Sequence, residues 1–223
     1  TDSTGSTQLL PAEPAFYVPN DTSPYWLAIA ARALLDTADA TLPALPGGTL
    51  QLTEIDRISV TSGETSRNAT VHALSGISLN PTYFLMDGRA FVALITPRFT
   101  VIEAGYEAED ERLRELAAQY GADRFAEIQS RVTQDHDGPV RIRNVRVFDP
   151  ATQSLGEPVS VLVDGNRIAA IEGADAAPAP GEMVIEGGGG SLIPGLTDMH
   201  AHLGEQAAFL NIAAGVTSVR DMG

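Results

Sequence analysis

Two histidines near the C-terminal end of the sequence, His200 and His202, are separated by a single residue. In a β-strand, side chains two positions apart project from the same face, so both imidazoles and Asp198 would point to one side. Neutral imidazole is the commonest protein ligand for transition metals, and zinc in particular is held by histidine nitrogens. The spacing therefore predicts half of a metal site, with His200 and His202 as the ligands. A His-x-His pair alone is weak evidence, because such a pair is more often a surface or structural feature than a metal site.

The surrounding sequence indicates which elements would position these histidines. A Gly-rich run and a Pro-Gly turn precede residues 196–202, which are expected to form a strand. Residues 205–214 have helical spacing, and Gly215 stands where a helix C-cap is expected. Residues 216–221 are predicted to form a second strand. Strand, helix and strand within so short a stretch predict a βαβ unit with parallel strands.

Residues 192–202 (LIPGLTDMHAH) and 214–223 (AGVTSVRDMG) resemble the opening of the catalytic barrel of the metal-dependent amidohydrolase superfamily. The resemblance is to the imidazolonepropionase-like and Xaa-Pro dipeptidase-like branch. It implies that His200 and His202 bind a divalent metal at the C-terminal end of a (β/α)8 barrel, where such barrels hold their active sites. The metal implied is zinc, as one or two ions. Asp198 matches an acidic family position that is expected to support the site or to be structural, and Arg220 and Asp221 match a strand-two element that is expected to be structural.

The same resemblance implies an enzyme that hydrolyses C–N bonds of amides, either peptide-like or lactam, with a metal-activated water. The catalytic residues are expected in a part of the barrel that this sequence lacks. They would include a carboxylated lysine or a glutamate between two metals, two further histidines and an aspartate. No lysine occurs in this chain.

A complete (β/α)8 barrel needs about 250 residues, and residues 191–223 provide only its first two strands. We therefore expect this chain to be the N-terminal portion of a longer hydrolase, present as a separate piece through proteolytic processing or a split gene. Its partners would be a C-terminal chain of the same hydrolase and a small-molecule amide substrate, and it could also form a homo-oligomer. Purification of the chain alone as a folded, metal-loaded monomer would contradict this expectation.

Two other functions stay open. The first is a hydrolytic deaminase of the same superfamily. The missing strands would decide between this activity and amide hydrolysis. The second is a non-catalytic scaffold or binding subunit, with residues 1–135 as the interaction module and the histidines as relics. Absence of bound metal, or activity that is indifferent to His200→Ala, would favour the second alternative.

The amino-acid composition excludes some classes of site and argues against some classes of partner, and the first residues bear on the cellular compartment. The 223 residues carry a formal net charge of -15 and include no cysteine, so disulfides and thiolate sites are excluded. The acidic balance argues against nucleic-acid and anionic-membrane partners, which need clustered positive charge. No apolar run approaches the ~20 residues of a membrane helix. If residues 1–7 follow a removed signal peptide, the protein is periplasmic or secreted in a bacterium; otherwise it is cytoplasmic.

The predicted fold class is α/β plus β, in three parts. Residues 1–135 form an N-terminal α+β extension, residues 136–190 part of a β-sandwich, and residues 191–223 the first β-α-β of a TIM barrel that a missing C-terminal part completes. We expect residues 1–20 to form an extended arm, because they carry several prolines and little periodicity. His72 within a strand and His136 in a linker are interpreted as structural or surface histidines.

Local signals place the remaining elements. Ser23 and Pro24 predict the start of a helix that ends near Asp39, followed by a linker rich in proline and glycine. Residues 49–105 alternate with a period of two and contain a hairpin signal at Asp87-Gly88. Residues 107–133 predict two short helices or one kinked at Gly121. Residues 140–186 predict a β-region with a bulge near Asn144 and a turn at residues 164–166.

Overall fold

The computed structural model of the chain describes residues 14–19 and 23–223. The chain divides into two compact units, Thr1–Ile128 and Gln129–Gly223. Most of the predicted N-terminal arm lies outside the described residues, as does the polar stub 1–7. The predicted domain boundaries after residues 135 and 190 stay predictions.

A seven-stranded sheet forms the centre of the N-terminal unit. Its strands follow one another in chain order, and all neighbours are antiparallel except β1 and β2, which are parallel. The strands are β1 (Phe16–Tyr17), β2 (Thr41–Leu45), β3 (Thr49–Ser62), β4 (Thr65–Ser75), β5 (Thr82–Asp87), β6 (Ala90–Ile95) and β7 (Thr100–Ile102). The period-two pattern and the hairpin between β5 and β6 are confirmed. The prediction of a Pro- and Gly-rich linker was wrong in part, because residues 41–43 pair with β3 and residues 44–45 pair with β1.

Two helices pack on the sheet, one on each face. Helix α1 (Tyr25–Leu35) ends earlier than the predicted Asp39, because Asp36 already acts as the C-cap and the Thr37 hydroxyl and amide both donate to the Leu34 carbonyl. A 3-10 turn (Glu107–Glu109) leads into helix α2 (Asp110–Val132). This helix is continuous, so of the two predicted alternatives the one with two short helices was wrong and a single helix is found. A single glycine in a helix interior costs only about 1 kcal/mol, which the packing of the helix can offset.

Each helix covers a separate hydrophobic core. Leu34 of α1 packs with Leu50 and Phe84 on one face of the sheet. Leu113 of α2 packs with Val71 and other apolar side chains on the opposite face. A register shift between Glu54 and Asp56 in β3 changes which side chains reach the α2 face. The N-terminal unit is therefore a two-core α+β structure.

The C-terminal unit begins with a second sheet, in the order β10-β9-β8-β11, with β12 also paired to β8. Its strands are β8 (Val140–Asp149), β9 (Ser154–Asp164), β10 (Arg167–Gly173), β11 (Met183–Glu186) and β12 (Ser191–Leu192). The predicted bulge is confirmed: the register shifts between Ile142 and Val145, and Asn144 has a φ of 50°. The turn between β9 and β10 is also confirmed.

The last three elements are β13 (Leu196–Ala201), α3 (Glu205–Ala213) and β14 (Val216–Asp221), and β13 and β14 are parallel. The predicted βαβ order is thus confirmed. Within the part of the chain that the structure describes, these strands form a two-stranded sheet, and no barrel is closed. No helix of the described residues has both the length and the apolar character needed to cross a membrane.

Candidate metal-binding site

A close approach between Gly195 and Thr217 fixes the start of β13 against β14. A Cβ atom at position 195 would collide with the Thr217 side chain, so only glycine fits there. The Leu196 amide donates to the Gly215 carbonyl over 2.9 Å. These contacts align the strands at the end opposite to the histidines.

The other end of the strand pair carries the candidate ligands. The Met222 amide donates to the Ala201 carbonyl over 2.9 Å, and Ala201 is buried. Strand β13 ends at Ala201, so His200 is its last residue but one and His202 follows directly after the strand. Both histidines therefore lie at the C-terminal end of a parallel strand, where α/β folds place their sites.

The structure brings the two imidazoles together. Their ring centroids are 5.3 Å apart and the ring planes are inclined by 65°. Two imidazoles bound to one tetrahedral zinc, with metal–nitrogen bonds of about 2.1 Å, would have centroids about 5 Å apart. Both histidine side chains are exposed, so a metal ion could reach them. The donor type and the separation both fit a divalent metal.

Hydrogen bonds restrain the backbone and one ring at this site. Nδ1 of His202 lies 2.7 Å from the backbone oxygen of Gly223. That oxygen can only accept, so the contact is a hydrogen bond when Nδ1 carries the proton, and Nε2 is then the ring nitrogen left to bind a metal. Asp198 accepts a hydrogen bond of 2.9 Å from the His200 backbone amide through Oδ1. This hydrogen bond holds Oδ1 of Asp198 against the backbone of its own strand.

The described residues provide two metal ligands here and not a complete set. Nowhere among them do three or more His, Cys, Asp or Glu side chains form a group that could hold a metal ion. A zinc site needs at least three protein ligands in its catalytic form. Further ligands would have to come from residues beyond those described, and the metal role of His200 and His202 stays a prediction.

The other two histidines lie in different surroundings. His72 in β4 is buried, its ring centroid is 5.7 Å from that of Phe84, and Nδ1 has no hydrogen-bond partner among the described residues. Burial lowers the pKa of His72, and the Glu54 carboxylate opposes this shift. His136 is exposed in the loop between α2 and β8. Within the described ranges, neither belongs to a group of side chains that could hold a metal ion.

A groove of about 610 Å³ in the N-terminal unit had no signal in the sequence. It lies between the α2 face of the sheet and the C-terminal half of α2. Its walls mix apolar groups with charged ones, including Tyr83, Asp123, Arg124 and Glu127. Arg124 donates to the Leu79 carbonyl and to the side chain of Asn80, which holds its guanidinium at the groove wall. Its lining residues come mainly from β3, β4, β5 and α2, which only tertiary packing brings together.

Comparison with known proteins bears on the family. No family model matches the chain. The dihydroorotase of Thermus aquaticus is 41% identical over 68 residues, which are 30% of this chain and 14% of that enzyme. The imidazolonepropionase of Rubrobacter xylanophilus is 31% identical over 102 residues, 44% of this chain and 22% of that enzyme. Over these matched residues, the chain is similar to enzymes of the amidohydrolase superfamily.

The chain spans only about one seventh to one fifth of the length of the curated relatives that it matches. Among solved structures, an L-hydantoinase from Arthrobacter aurescens is 29% identical, with a TM-score of 0.25, and the match covers 29% of this chain and 14% of that one. A Xaa-Pro dipeptidase is 24% identical, with a TM-score of 0.31 and coverage of 38% and 26%. The similarity to amidohydrolases rests on the sequence matches.

Proposed function

We propose that this chain supplies the first metal-binding strand of an amidohydrolase that hydrolyses amide bonds, peptide-like or lactam, with a metal-activated water. One observation carries the proposal: His200 and His202 stand side by side at the C-terminal end of β13, with ring centroids 5.3 Å apart. The relatives named dihydroorotase and imidazolonepropionase support amide-type bond hydrolysis at the level of the family.

His200 and His202 would hold the metal, and the chain's own hydrogen bonds orient them. A divalent ion, zinc or a similar metal, would supply a Lewis acid and lower the pKa of a bound water. His202 would bind through Nε2, since Nδ1 lies within hydrogen-bond distance of the Gly223 oxygen. The remaining ligands and the group that shuttles the proton would come from further parts of the hydrolase.

We propose that further strands of the same hydrolase cover β13, α3 and β14. Parallel strands are normally buried on both faces, because helices cover them. Here Met199 on β13 is 62% exposed and Ile212 on α3 is 75% exposed. Leu196 and Met222 are exposed as well. The neighbouring strands and helices of a (β/α)8 barrel would bury these apolar side chains, which makes a C-terminal portion of the hydrolase the expected partner.

Metal content tests the site directly. We would purify the protein together with the C-terminal portion of the hydrolase. Bound zinc, manganese and iron would then be measured for the wild type and for His200→Ala and His202→Ala. We expect each variant to bind the metal about tenfold more weakly or worse, because each substitution removes one of the two candidate ligands in this segment. His136→Ala, which removes an exposed histidine outside the site, should retain the metal. Unchanged metal content in both site variants would refute the proposed site.

The completing partner is tested by intact mass under denaturing conditions. A second polypeptide in equal amount, or a single polypeptide much larger than 23.5 kDa, would support completion of the barrel. Hydrolysis of dipeptides and lactams should then be measured and should disappear in His200→Ala. A folded, metal-loaded monomer of 23.5 kDa would contradict the need for a completing portion.

One observation favours the alternative of a binding subunit, namely the open groove beside α2. Its mixed polar and apolar walls could receive a ligand or a peptide without any metal. The two proposals differ in what the histidines do. If His200→Ala leaves metal content and hydrolysis unchanged while Arg124→Ala abolishes association with the partner, the chain acts as a binding subunit.

A further inference from the structure

Strand β13 does not pair regularly with β14 near the end that carries the histidines. Asp198 lies opposite Val219, and the next pair of the register is Ala201 opposite Asp221. Two residues of β13 between these pairs therefore face a single residue of β14. One extra residue in one of two paired strands is a β-bulge, which interrupts the ladder and changes the direction of the side chains beside it.

The His200 amide lies within this bulge, and the side chain of Asp198 binds it. Oδ1 of Asp198 accepts from that amide over 2.9 Å, from two residues earlier in the same strand. A bulge leaves its extra residue unpaired in the ladder, so the backbone amide there needs another acceptor. The carboxylate provides this acceptor and holds the peptide unit between Met199 and His200, which is bonded directly to the His200 Cα.

The bulge decides which side chain of β13 takes the buried position at this end. Ala201 is buried, whereas His200 and His202 on either side of it are exposed. Without the extra residue, the two strands would advance together and His200 would lie opposite Asp221, where Ala201 lies now. Because a slip of one residue exchanges the two faces of a strand, His200 would then take the buried position.

We propose that Asp198 is a positioning residue for His200: it stabilises the bulge and so keeps the His200 imidazole on the exposed face beside His202. In the observed register the two ring centroids are 5.3 Å apart, which suits two ligands of one metal ion. The proposal rests on the proposed function for its purpose, but the bulge and its hydrogen bond are properties of the chain without metal. Asp198 acts through the backbone and does not touch the metal.

Amide exchange and metal affinity test the proposal separately. In the complete protein, labelled with ¹⁵N and stripped of metal, NMR follows hydrogen exchange at the His200 amide and at the Leu196 amide, which donates to Gly215 outside the bulge. For Asp198→Ala we expect about tenfold faster exchange at His200 and unchanged exchange at Leu196, because only the first hydrogen bond is lost. The affinity for zinc, measured by competition with a chromogenic chelator, should fall about tenfold, as is typical when a group that orients a metal ligand is removed.

Two further variants are the controls. Asp198→Asn retains an oxygen that can accept from the His200 amide, so it should preserve the slow exchange and most of the affinity for zinc. Asp164→Ala, at the exposed end of β9 in the same unit, should change neither property.

Three results would overturn the proposal. The first is unchanged His200 exchange or unchanged affinity for zinc in Asp198→Ala. The second is faster exchange at Leu196 as well, which would mean that Asp198 stabilises the whole strand pair. The third is weak zinc binding by Asp198→Asn with slow His200 exchange, which would make Asp198 itself a ligand. Failure of the proposed function looks different: His200→Ala and His202→Ala would retain metal, whatever the exchange in the metal-free protein.

Discussion

Arg141 and Glu182 form a buried ion pair in the C-terminal unit, with Nε of the guanidinium 2.6 Å from the carboxylate and side-chain exposures of 5% and 6%. The same guanidinium contacts Glu172, again at 2.6 Å, and Ser160. Arg141 lies in β8, Glu172 in β10 and Glu182 just before β11. This cluster therefore connects strands that are far apart in the sequence.

Removing the charge of Glu182 should loosen the sheet, because it leaves a buried guanidinium without one of its two carboxylates. For Glu182→Gln we expect about tenfold faster hydrogen exchange of the β8 and β11 amides. Glu186→Gln is the matched control, since its pair with Arg143 is much more exposed and should contribute little. The Arg141 hydrogen bonds lower the pKa of Glu182, so its contribution is present above the ordinary pKa and is lost as the pH falls through the lowered one. Equal exchange in both variants would contradict this prediction.

The buried His72 should make the stability of the N-terminal unit depend on pH. Burial lowers the pKa of His72 in the folded state, so the unfolded chain binds the proton first as the pH falls below about 6.5. We expect the free energy of unfolding to decrease from pH 7.5 towards pH 5. Urea unfolding followed by Trp26 fluorescence reports on this unit, since Trp26 is the only tryptophan.

The variant His72→Leu should flatten that pH dependence, because leucine takes up no proton. His136→Gln should leave the slope as it is, since this side chain is exposed in a loop. A slope that persists unchanged in His72→Leu would show that other groups cause it.

Substitution of Gly195 should disturb the metal site from the far end of the strand. A Cβ at this position would collide with Thr217, so Gly195→Ala must push β13 away from β14 and shift the histidines at its other end. We expect weaker zinc binding and a destabilised C-terminal unit, seen by chelator competition and by hydrogen exchange. Gly204→Ala is the matched control after the same strand, since nothing lies within 4 Å of its added Cβ. Equal zinc affinity in Gly195→Ala and wild type would contradict the prediction.

The packing of α2 on the sheet should depend on Leu113, which is fully buried in the core on that face. Leu113→Ala would remove apolar contacts and leave a cavity, with an expected loss of about 2–5 kcal/mol in the free energy of unfolding. Leu79→Ala provides the control, because Leu79 is 56% exposed, and its cost should stay within about 0.5 kcal/mol. Urea titrations of the three proteins give both values. A loss below about 1 kcal/mol for Leu113→Ala would mean that α2 contributes little to this core.

Several features were predicted correctly because they depend on neighbours in the sequence. The hairpin after Asp87 needs only a turn signal between two alternating runs. The bulge at Asn144 appears as a change of phase within one strand. The order of β13, α3 and β14 follows from periodicity and from Gly215, whose positive φ ends the helix. The end of α1 was misplaced because the residues after Leu35 are still compatible with a helix, and their cap is visible only in the structure.

The sequence by itself determined the identity and spacing of the candidate ligands, the elements on which they lie and the resemblance to amidohydrolases, because all of these are local patterns. Tertiary structure decided the rest. The contact between His202 and Gly223 joins residues that are 21 positions apart, and β11 and β12 pair with β8 across some forty residues. Burial of His72 and the Arg141 cluster likewise depend on which strands become neighbours. Local propensity carries no information about such pairings. The favourable free energy of a pairing between distant segments is gained only after those segments have come into contact.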